Sequence, residues 1–524
     1  MSRRKSDLLF ILVLLVVAFL YGYHSIFFHR PSYHHLWRQA DCLSITMNYY
    51  MDDRNFFEPA IHWVGEKAKD GRTISEFPII YFSVAQLWKV FGHHEFIFRL
   101  INVLIVFSGL FCLYRFAREM LDDTFWAILI PVFLFTSPVL GFYTNTFLAD
   151  APALGLAMIA SYFYWKAYSL KKKKWYWISF LFFLLAGLIK LSSMMIFFAF
   201  LVIQVYILLF RRKEKSWFSQ PALLIPYFVV AVVIFAWYSY ARYYNSHNLA
   251  GLFLQGILPV WAMDTAARSA IWTSFHKEML PAFFSETALY INLAIFLSLF
   301  VFLKKMNRYL LFLNLLMFLG AVSFILLFFQ VFNVHDYYLT NLLIFMPLPG
   351  IALLDMLKRN HPRFFKNVIF KGIVLAGVLV IVYTASVQSR MKYYPHQPYV
   401  QKSLFISDDM KTRWVMWVDY CSKFYQPLET INPYLRDLGI KRNDLVYCTP
   451  DVTINASLYL MDQKGFTDFY FGSLPEEERF AALKNQQVQY LVLLDTSFHR
   501  NPKLEPYLKR KIGSYKSVEI FDLR

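Results

Sequence analysis

Long apolar stretches recur along the first 390 residues of the chain, and short polar or charged segments separate them. A helix needs about 20 predominantly apolar residues to cross a bilayer. The pattern therefore predicts an α-helical multi-pass membrane protein with about eleven spans. The spans are expected at residues 8–28, 97–116, 124–140, 147–165, 175–189, 191–210, 222–242, 287–303, 309–329, 337–356 and 368–388.

The stretch 175–210 is the hardest part of this pattern to divide. It is apolar except at Gly187, Lys190, Ser192 and Ser193, and it is too long for one span. Basic clusters stand at both of its ends, so we expect it to cross twice with a tight outer turn near Lys190. Irregular backbone at membrane depth is tolerated only where it lines a cavity of the protein.

Basic clusters fall on alternate loops of the predicted arrangement, and such clusters mark the cytoplasmic side of a membrane. The N-terminal MSRRK is expected to lie inside, followed by an uncleaved first span, because no small-residue cleavage site follows it. The inner loops are then RFAREMLDD (115–123), KKKK (171–174), RRKEK (211–215), KKMNR (304–308) and KRNHPRFFK (358–366). The other loops face the periplasm or exterior of the cytoplasmic membrane.

Two regions outside the spans have predicted structure of their own. The first outer loop, residues 29–96, contains amphipathic stretches at 36–50 and 79–91 that are expected to be interfacial helices. Residues 390–524 alternate between helical and strand patterns, which predicts a small extracytoplasmic α/β domain. Its helices are expected at INPYLRDLG and near 476–485 and 503–511, and its strands at LVYCT (445–449), QYLVLLD (489–495) and SVEIFDL (517–523). It has no Gly-rich phosphate loop, HExxH or nucleophile elbow, so no catalytic role is expected for it.

The composition agrees with a membrane protein, since 58% of the residues are hydrophobic and only 17% are charged. The net charge of +18 would also suit a nucleic-acid-binding protein, but the basic inner loops account for much of it, and no nucleic-acid partner is expected. The four cysteines lack metal-ligand spacing. A disulfide between Cys421 and Cys448 is an alternative in an oxidising compartment, but free thiols are expected.

Two carboxylates on the outer loops are candidates for chemistry. Asp41, in WRQAD, lies near the outer interface, where a partly desolvated carboxylate has a raised pKa and can act as a base. The alternative is an aspartate that pairs with Arg38 to fix the loop. Asp150, in FLADAP, lies at the outer entry of a span, where an aspartate followed closely by proline also suits a helix N-cap. Both roles of Asp150 can coexist.

Charged and aromatic residues at the same outer face are candidates for binding. A lysine at membrane depth is usually functional or else extends to the interface, and we favour contact of Lys190 with a lipid-linked phosphate. The run HDYY (335–338) suits phosphate contact or a proton path, although an aromatic belt and a solvated histidine are alternatives. The candidates for substrate contact are Lys190, His335, Tyr337, Arg38, Glu76 and Arg99.

Five short motifs occur in a fixed order over residues 1–390: WRQAD, EFPIIYF, LADAPAL, GLIK and HDYYL. Together they resemble the GT-C glycosyltransferases, in particular the bacterial branch similar to protein O-mannosyltransferases and lipid A aminoarabinose transferases. The resemblance implies a polyprenyl-phosphate sugar donor, a first-loop aspartate as catalytic base and a site at the outer membrane face. Asp41 matches the catalytic aspartate, and Asp150 matches the acidic position of the second outer loop. Ala40-Asp41 stands where the mannosyltransferases carry an acidic pair.

The apolar pattern and the resemblance predict a transmembrane catalytic domain at 1–389, which includes the loop 29–96, and the change to a soluble composition predicts an extracytoplasmic domain at 390–524. The small α/β tail is not universal in the family. The expected activity is inverting transfer of a sugar to an acceptor hydroxyl, with Asp41 as general base. The acceptor is left open between a glycan, a lipid and a protein, no cofactor is assigned, and a divalent metal is left open. The alternatives are a flippase of lipid-linked saccharides and a silent scaffold. We find neither the internal repeats nor the midplane polar groups typical of transporters.

Overall fold

The computed structural model describes residues 2–65, 70–210, 217–249, 251–254, 256–471, 476–500, 502 and 504–524. The chain forms two compact units. The first unit comprises Met1–Phe27, Arg99–Ser239 and Gly256–Arg390, and the second comprises Phe28–Phe98, Tyr240–Gln255 and Met391–Arg524. Residues 28–98 and the segment from Met391 onward thus fall in the same compact unit.

The first unit is built almost entirely of helices, which confirms the predicted class. Its α-helices are Arg3–Leu20, Tyr23–Ile26, Phe96–Leu121, Thr124–Phe135, Pro138–Tyr143, Asp150–Leu170, Lys173–Ile189, Met195–Phe210, Ile225–His247, Thr265–Ser274, Leu280–Phe283, Glu286–Val301, Arg308–Leu327, Pro347–Asn360, Pro362–Phe365 and Val368–Met391, and some of these extend across the unit boundaries. A long 3-10 segment at Asp336–Ile344 precedes Pro347–Asn360.

Six helical segments among the described residues are long and apolar enough to cross a membrane, or seven if the bent pair Thr265–Phe283 and Glu286–Val301 is one span. They are Phe96–Leu121, Leu191–Phe210, Pro221–His247, Arg308–Leu327, Asp336–Asn360 and Val368–Met391. The count of eleven is therefore not confirmed. The expected span 124–140 is divided, because one helix ends at Phe135 and Pro138, which suits a helix start, begins the next. The inner loop RRKEK (211–215) lies outside the described residues.

The predicted turn near Lys190 is confirmed. One helix ends at Ile189, a 3-10 turn covers Leu191–Met194, and the next helix follows directly. The rings of Phe183 and Phe197, placed on either side of Lys190 in the sequence, lie 5.4 Å apart. In one straight helix these residues would be about 21 Å apart, at 1.5 Å per residue. The chain therefore folds back on itself at Lys190.

The second unit combines helices with a five-stranded mixed sheet. Its α-helices are Leu36–Met51, Ile79–Phe91, Pro398–Gln401, Asp408–Tyr425, Asn432–Asp437, Ala456–Met461, Asp468–Phe471 and Glu476–Asn485. The strands are β1 (Val446–Thr449), β2 (Gly465–Thr467), β3 (Tyr490–Leu493), β4 (Lys511–Tyr515) and β5 (Val518–Asp522), in the order β2-β1-β3-β5-β4. β1 is parallel to β2 and β3, and β5 is antiparallel to β3 and β4.

The predicted helices at 36–50 and 79–91 are confirmed, as are the C-terminal helix at 476–485 and the strands that became β1, β3 and β5. The predicted helix near 503–511 is wrong. The described residues there form only a 3-10 turn at Glu505–Tyr507 before β4 begins at Lys511. Pro506 lacks the backbone N–H that a continuing helix requires.

The first outer loop is part of the fold of the second unit. The backbone N–H of Val64 donates to the carbonyl of Gly465 in β2 at 3.0 Å, and the N–H of Gly465 donates to the carbonyl of His62 at 3.2 Å. The Val64 side chain joins the buried cluster on the sheet that contains Tyr447 and Leu491. These contacts explain why residues 29–96 fold with the C-terminal segment.

Candidate active site

Asp41 lies on the helix Leu36–Met51, and its side chain is only 3% exposed. The Nδ2 of Asn455 donates a hydrogen bond to Asp41 Oδ1 at 2.8 Å. Arg38 lies one helical turn earlier, with its Nη1 3.9 Å from Asp41 Oδ2. Residues three apart share a helix face, which is why these two side chains meet.

Arg38 makes its closer ion pair with Glu76 rather than with Asp41. Glu76 also accepts hydrogen bonds from the hydroxyl of Ser75 and, at 2.8 Å, from that of Tyr81. The predicted alternative, an Asp41 that pairs with Arg38 to fix the loop, therefore describes only part of the arrangement. The Arg38 guanidinium contacts both carboxylates, and its contact with Glu76 is the shorter of the two. The sequence-predicted residues Arg38, Asp41 and Glu76 are thus brought together in one buried cluster.

Burial raises the pKa of the Asp41 carboxyl to about 6, because the charged form loses its hydration. The positive charge of Arg38 and the hydrogen bond from Asn455 act in the opposite direction, and the negative charge of Glu76 adds to the rise. The carboxylate is therefore mostly ionised at neutral pH but more basic than an exposed aspartate. These are the properties of a general base.

Asn455 is a functional candidate that the sequence analysis missed. It is fully buried at the start of the helix Ala456–Met461, in the C-terminal segment. Its Oδ1 accepts the backbone N–H of Trp63 at 2.8 Å, while its Nδ2 binds Asp41. The amide therefore positions both the candidate base and the first outer loop. The expectation that the C-terminal segment has no part in the site is corrected to this extent.

A second polar cluster braces the same helix. His62 Nδ1 lies 2.8 Å from the Ser44 hydroxyl, and His62 Nε2 lies 3.0 Å from Asp462 Oδ1. Burial lowers the pKa of His62 to about 4, so the ring is neutral at pH 7. The set has the residue types of a nucleophilic triad, but Ser44 is fully buried and its hydroxyl also accepts the backbone N–H of His62 at 2.8 Å. Its role is structural.

Asp150 is the first residue of the helix Asp150–Leu170 and is 1% exposed. The predicted N-cap role is not observed, because Ala149 occupies the cap position. Lys190 Nζ lies 3.1 Å from Asp150 Oδ1. A negative charge in the first turn also interacts favourably with the helix dipole. Two of the residues that the sequence singled out in this unit, Asp150 and Lys190, therefore form an ion pair.

Aromatic rings of the HDYY run surround the Lys190 ammonium. Nζ lies 5.7 Å from the ring centroid of Tyr337 and 5.1 Å from that of Tyr338, within the range of a cation–π interaction. The ring of His335, which is half-buried, lies 5.2 Å from that of Tyr337. Asp336 accepts a hydrogen bond from the Tyr143 hydroxyl. The structure thus gathers Lys190, His335 and Tyr337 at one place in the first unit.

Arg99 lies in the first turn of the helix Phe96–Leu121, at the start of the predicted second span. It is fully buried, donates to the backbone carbonyl of Asn145 and lies 4.2 Å from the ring centroid of Phe147. Asn102 supports the same loop through the carbonyls of Thr146 at 2.9 Å and Leu148 at 3.2 Å. These contacts brace the segment that leads to Asp150. Contact of Arg99 with substrate stays a prediction.

Within each unit taken alone, the described residues contain no group of three or more metal-ligating side chains close enough to share an ion. The four cysteines are free thiols, as expected.

We expect strong coupling between Asp150 and Lys190. Lys190→Met should leave a buried carboxylate without this counter-charge, at a cost of about 3–5 kcal/mol in unfolding free energy. Adding Asp150→Asn should restore much of that loss. Thermal unfolding of the two single variants and the double variant in detergent measures the coupling. Additive losses would show that the two side chains do not stabilise each other.

Comparison with known proteins gives a partial family match and a fold. Residues 75–240 match the family described as dolichyl-phosphate-mannose-protein mannosyltransferase. Among curated protein sequences, none matches the chain significantly. ArnT from Cupriavidus metallidurans bound to undecaprenyl phosphate is similar with a TM-score of 0.61 at 12% identity, over 99% of this chain and 98% of that one. Its apo state gives 0.58 at 12% identity, over 98% and 97%.

A weaker similarity, with a TM-score of 0.41 at 11% identity, relates 95% of this chain to 70% of the archaeal oligosaccharyltransferase AglB from Archaeoglobus fulgidus. The recognition made from the five motifs is confirmed: the chain has the ArnT-like GT-C fold, and its residues 75–240 match the dolichyl-phosphate-mannose-protein mannosyltransferase family.

Proposed function

We propose that the protein is an integral-membrane glycosyltransferase that moves a sugar from a polyprenyl-phosphate donor to an acceptor hydroxyl, with inversion, at the outer face of the cytoplasmic membrane. The observation that carries the proposal is the buried Asp41 carboxylate, whose pKa is raised to about 6, in a chain with the ArnT-like fold. The match to a mannosyltransferase family over residues 75–240 supports the same reaction class.

Asp41 is the proposed general base. It takes the proton of the acceptor hydroxyl while the hydroxyl oxygen attacks the anomeric carbon of the donor. A new glycosidic bond forms as the bond from that carbon to the phosphate oxygen breaks, and the configuration inverts. A phosphate leaving group departs as an anion and needs no protonated carboxyl, whereas glycosidases use a second carboxyl group as an acid. One base and a set of cations are therefore sufficient.

A lipid-linked donor follows from the proposed outer location, because nucleotide sugars are confined to the cytoplasm. Lys190, with His335 and Tyr337 beside it, is proposed to bind the donor phosphate. Fixed positive charge is most effective where negative charge develops on the leaving group. Asp150 is proposed as a positioning residue for Lys190, because it is buried and forms an ion pair of 3.1 Å with the ammonium.

The first test replaces Asp41 by Asn, which keeps the size and the hydrogen-bonding capacity of the side chain and removes its basicity. Transfer from a polyprenyl-phosphate sugar by the purified protein should fall by about 10²–10⁴-fold. Asp437→Asn, an exposed aspartate of the same unit, is the control and should leave transfer unchanged. Turnover near that of the parent in folded Asp41→Asn would exclude the base role.

The second test concerns pH. The base works when ionised, so turnover should fall as the pH is lowered through the Asp41 pKa of about 6. The hydrogen bond from Asn455 stabilises the carboxylate, so Asn455→Ala should raise this pKa and move the acid limb to higher pH. The charge of Glu76 destabilises the carboxylate, so Glu76→Gln should move the limb to lower pH. If neither variant shifts the acid limb of the pH–turnover profile, that limb reports the titration of an ionisable group other than Asp41.

The third test concerns the donor phosphate. Lys190→Met should weaken the binding of undecaprenyl phosphate to the protein in detergent, because the apolar stem remains and the charge is lost. Lys190→Arg keeps a positive charge and should bind more tightly than Lys190→Met. His335→Ala is expected to have the smaller effect. Equal affinity in all these variants and the parent would place the phosphate elsewhere.

A further inference from the structure

The second unit contains a cavity of about 510 Å³ that the reaction described above does not use. Small-molecule sites in proteins typically occupy about 300–1,000 Å³. The helix Leu36–Met51 contributes Met47, Tyr50 and Met51 to its lining, and the helix Ala456–Met461 contributes Leu460. These are the two helices that carry or adjoin Asp41 and Asn455. The cavity is therefore built on the same elements as the candidate base.

One part of the cavity lining is aromatic. The rings of Phe28 and Phe96 lie 5.7 Å apart, and Phe28 is 75% exposed. The ring of Tyr50 is stacked with that of His93 at 6.3 Å. The face of an aromatic ring carries partial negative charge, so it attracts the weakly positive C–H groups on one face of a sugar ring. Exposed rings at the edge of a polar cavity suit such a ligand.

Another part of the lining is polar and contains Arg30, whose positive charge is paired with Glu95. Arg30 Nε donates to Glu95 at 3.0 Å, and Arg30 Nη1 donates to the carbonyls of Glu429 at 2.8 Å and Leu460 at 3.2 Å. Tyr459 donates its hydroxyl to the same Glu95 oxygen at 2.7 Å. Arg30 is thus held as a structural element, and its charge is balanced by Glu95.

Two side chains of the lining, Glu429 and Asn432, offer hydrogen-bond acceptors to a ligand. The Glu429 carboxylate is half-buried and makes no hydrogen bond to another described residue. The Asn432 amide donates through Nδ2 to the carbonyl of Met461 at 2.8 Å, and its Oδ1 remains as an acceptor in the cavity lining. Acceptors of this kind bind hydroxyl or ammonium donors. Glu95 and Asp462 also lie in the lining, but they pair with Arg30 and Arg442, so Glu429 is the carboxylate that disfavours anionic ligands.

The candidate base does not line this cavity. Tyr50 follows Asp41 by nine residues on one continuous helix, which corresponds to about two and a half turns, so their side chains lie on opposite faces of that helix. A sugar bound in the cavity is therefore separate from the hydroxyl that would react at Asp41.

We propose that the cavity lined by Phe28, Tyr50, Phe96, Glu429 and Asn432 binds a neutral or amino sugar, at a site separate from the candidate base. This inference rests on the proposed glycosyltransferase function, because a transferase of sugars meets saccharides of this chemical class. The aromatic rings contact the C–H face of the sugar, and Glu429 and Asn432 accept hydrogen bonds from its hydroxyl or ammonium groups.

Binding of oligosaccharides of two to four units to the full-length protein in detergent tests this proposal, without donor present. The probes are panels of neutral, amino and acidic oligosaccharides, measured by saturation-transfer NMR. Neutral or amino members should bind, and acidic ones should not. Phe28→Ala should weaken binding by about three- to tenfold, as expected for the loss of one aromatic contact. Glu429→Gln should weaken the binding of amino members most.

The matched controls are exposed side chains of the same unit, Phe405→Ala for the ring and Glu478→Gln for the carboxylate, and both should bind like the parent. Asp41→Asn should also bind the oligosaccharides while its transfer is lost, which separates this site from the reaction itself. The proposal is overturned if no member of the panels binds, if acidic members bind equally well, or if Phe28→Ala and Glu429→Gln both bind like the parent.

Discussion

Burying an ionised carboxylate is costly unless polar partners replace its lost water, and the second unit is organised around that requirement at Asp41. The partners come from different parts of the chain: Arg38 from the same helix and Asn455 from the C-terminal segment. Neither compensates the burial fully, so the carboxyl keeps a raised pKa of about 6. The balance leaves a charged but basic group, which is the state that proton abstraction from a hydroxyl needs.

The ionic contacts around the helix Leu36–Met51 hold this arrangement in place. Arg442 pairs with Asp462 at 2.8 Å and also binds Asp52 at the end of the helix. Lys464 lies 3.3 Å from Asp52 and is itself buried. Removing one partner of such a buried set leaves another charge uncompensated. The resulting loss of unfolding free energy is therefore larger than the net stabilisation that any single ion pair provides. The loop 29–96 and the C-terminal segment are therefore interdependent.

The sequence alone predicted those elements whose pattern lies within a short stretch of the chain. Hydrophobic periodicity identified the strands β1, β3 and β5, and one lysine in an apolar stretch identified the turn at Lys190. The motif order identified the fold. Asn455 left no such signal, because it reaches Asp41 across 414 positions of the chain. The contact of Arg99 with a backbone carbonyl left no signal either, because a cation near a span end has the same local pattern whatever it faces.

The central claim is that the protein adds one sugar rather than moving a finished lipid-linked glycan across the membrane. Mass spectrometry of the envelope glycans from cells with and without the gene tests this most directly. The account predicts that the glycans of the deletion strain lack a single sugar residue and are otherwise complete. Accumulation of the complete lipid-linked glycan in that strain would instead indicate a flippase and would contradict the account.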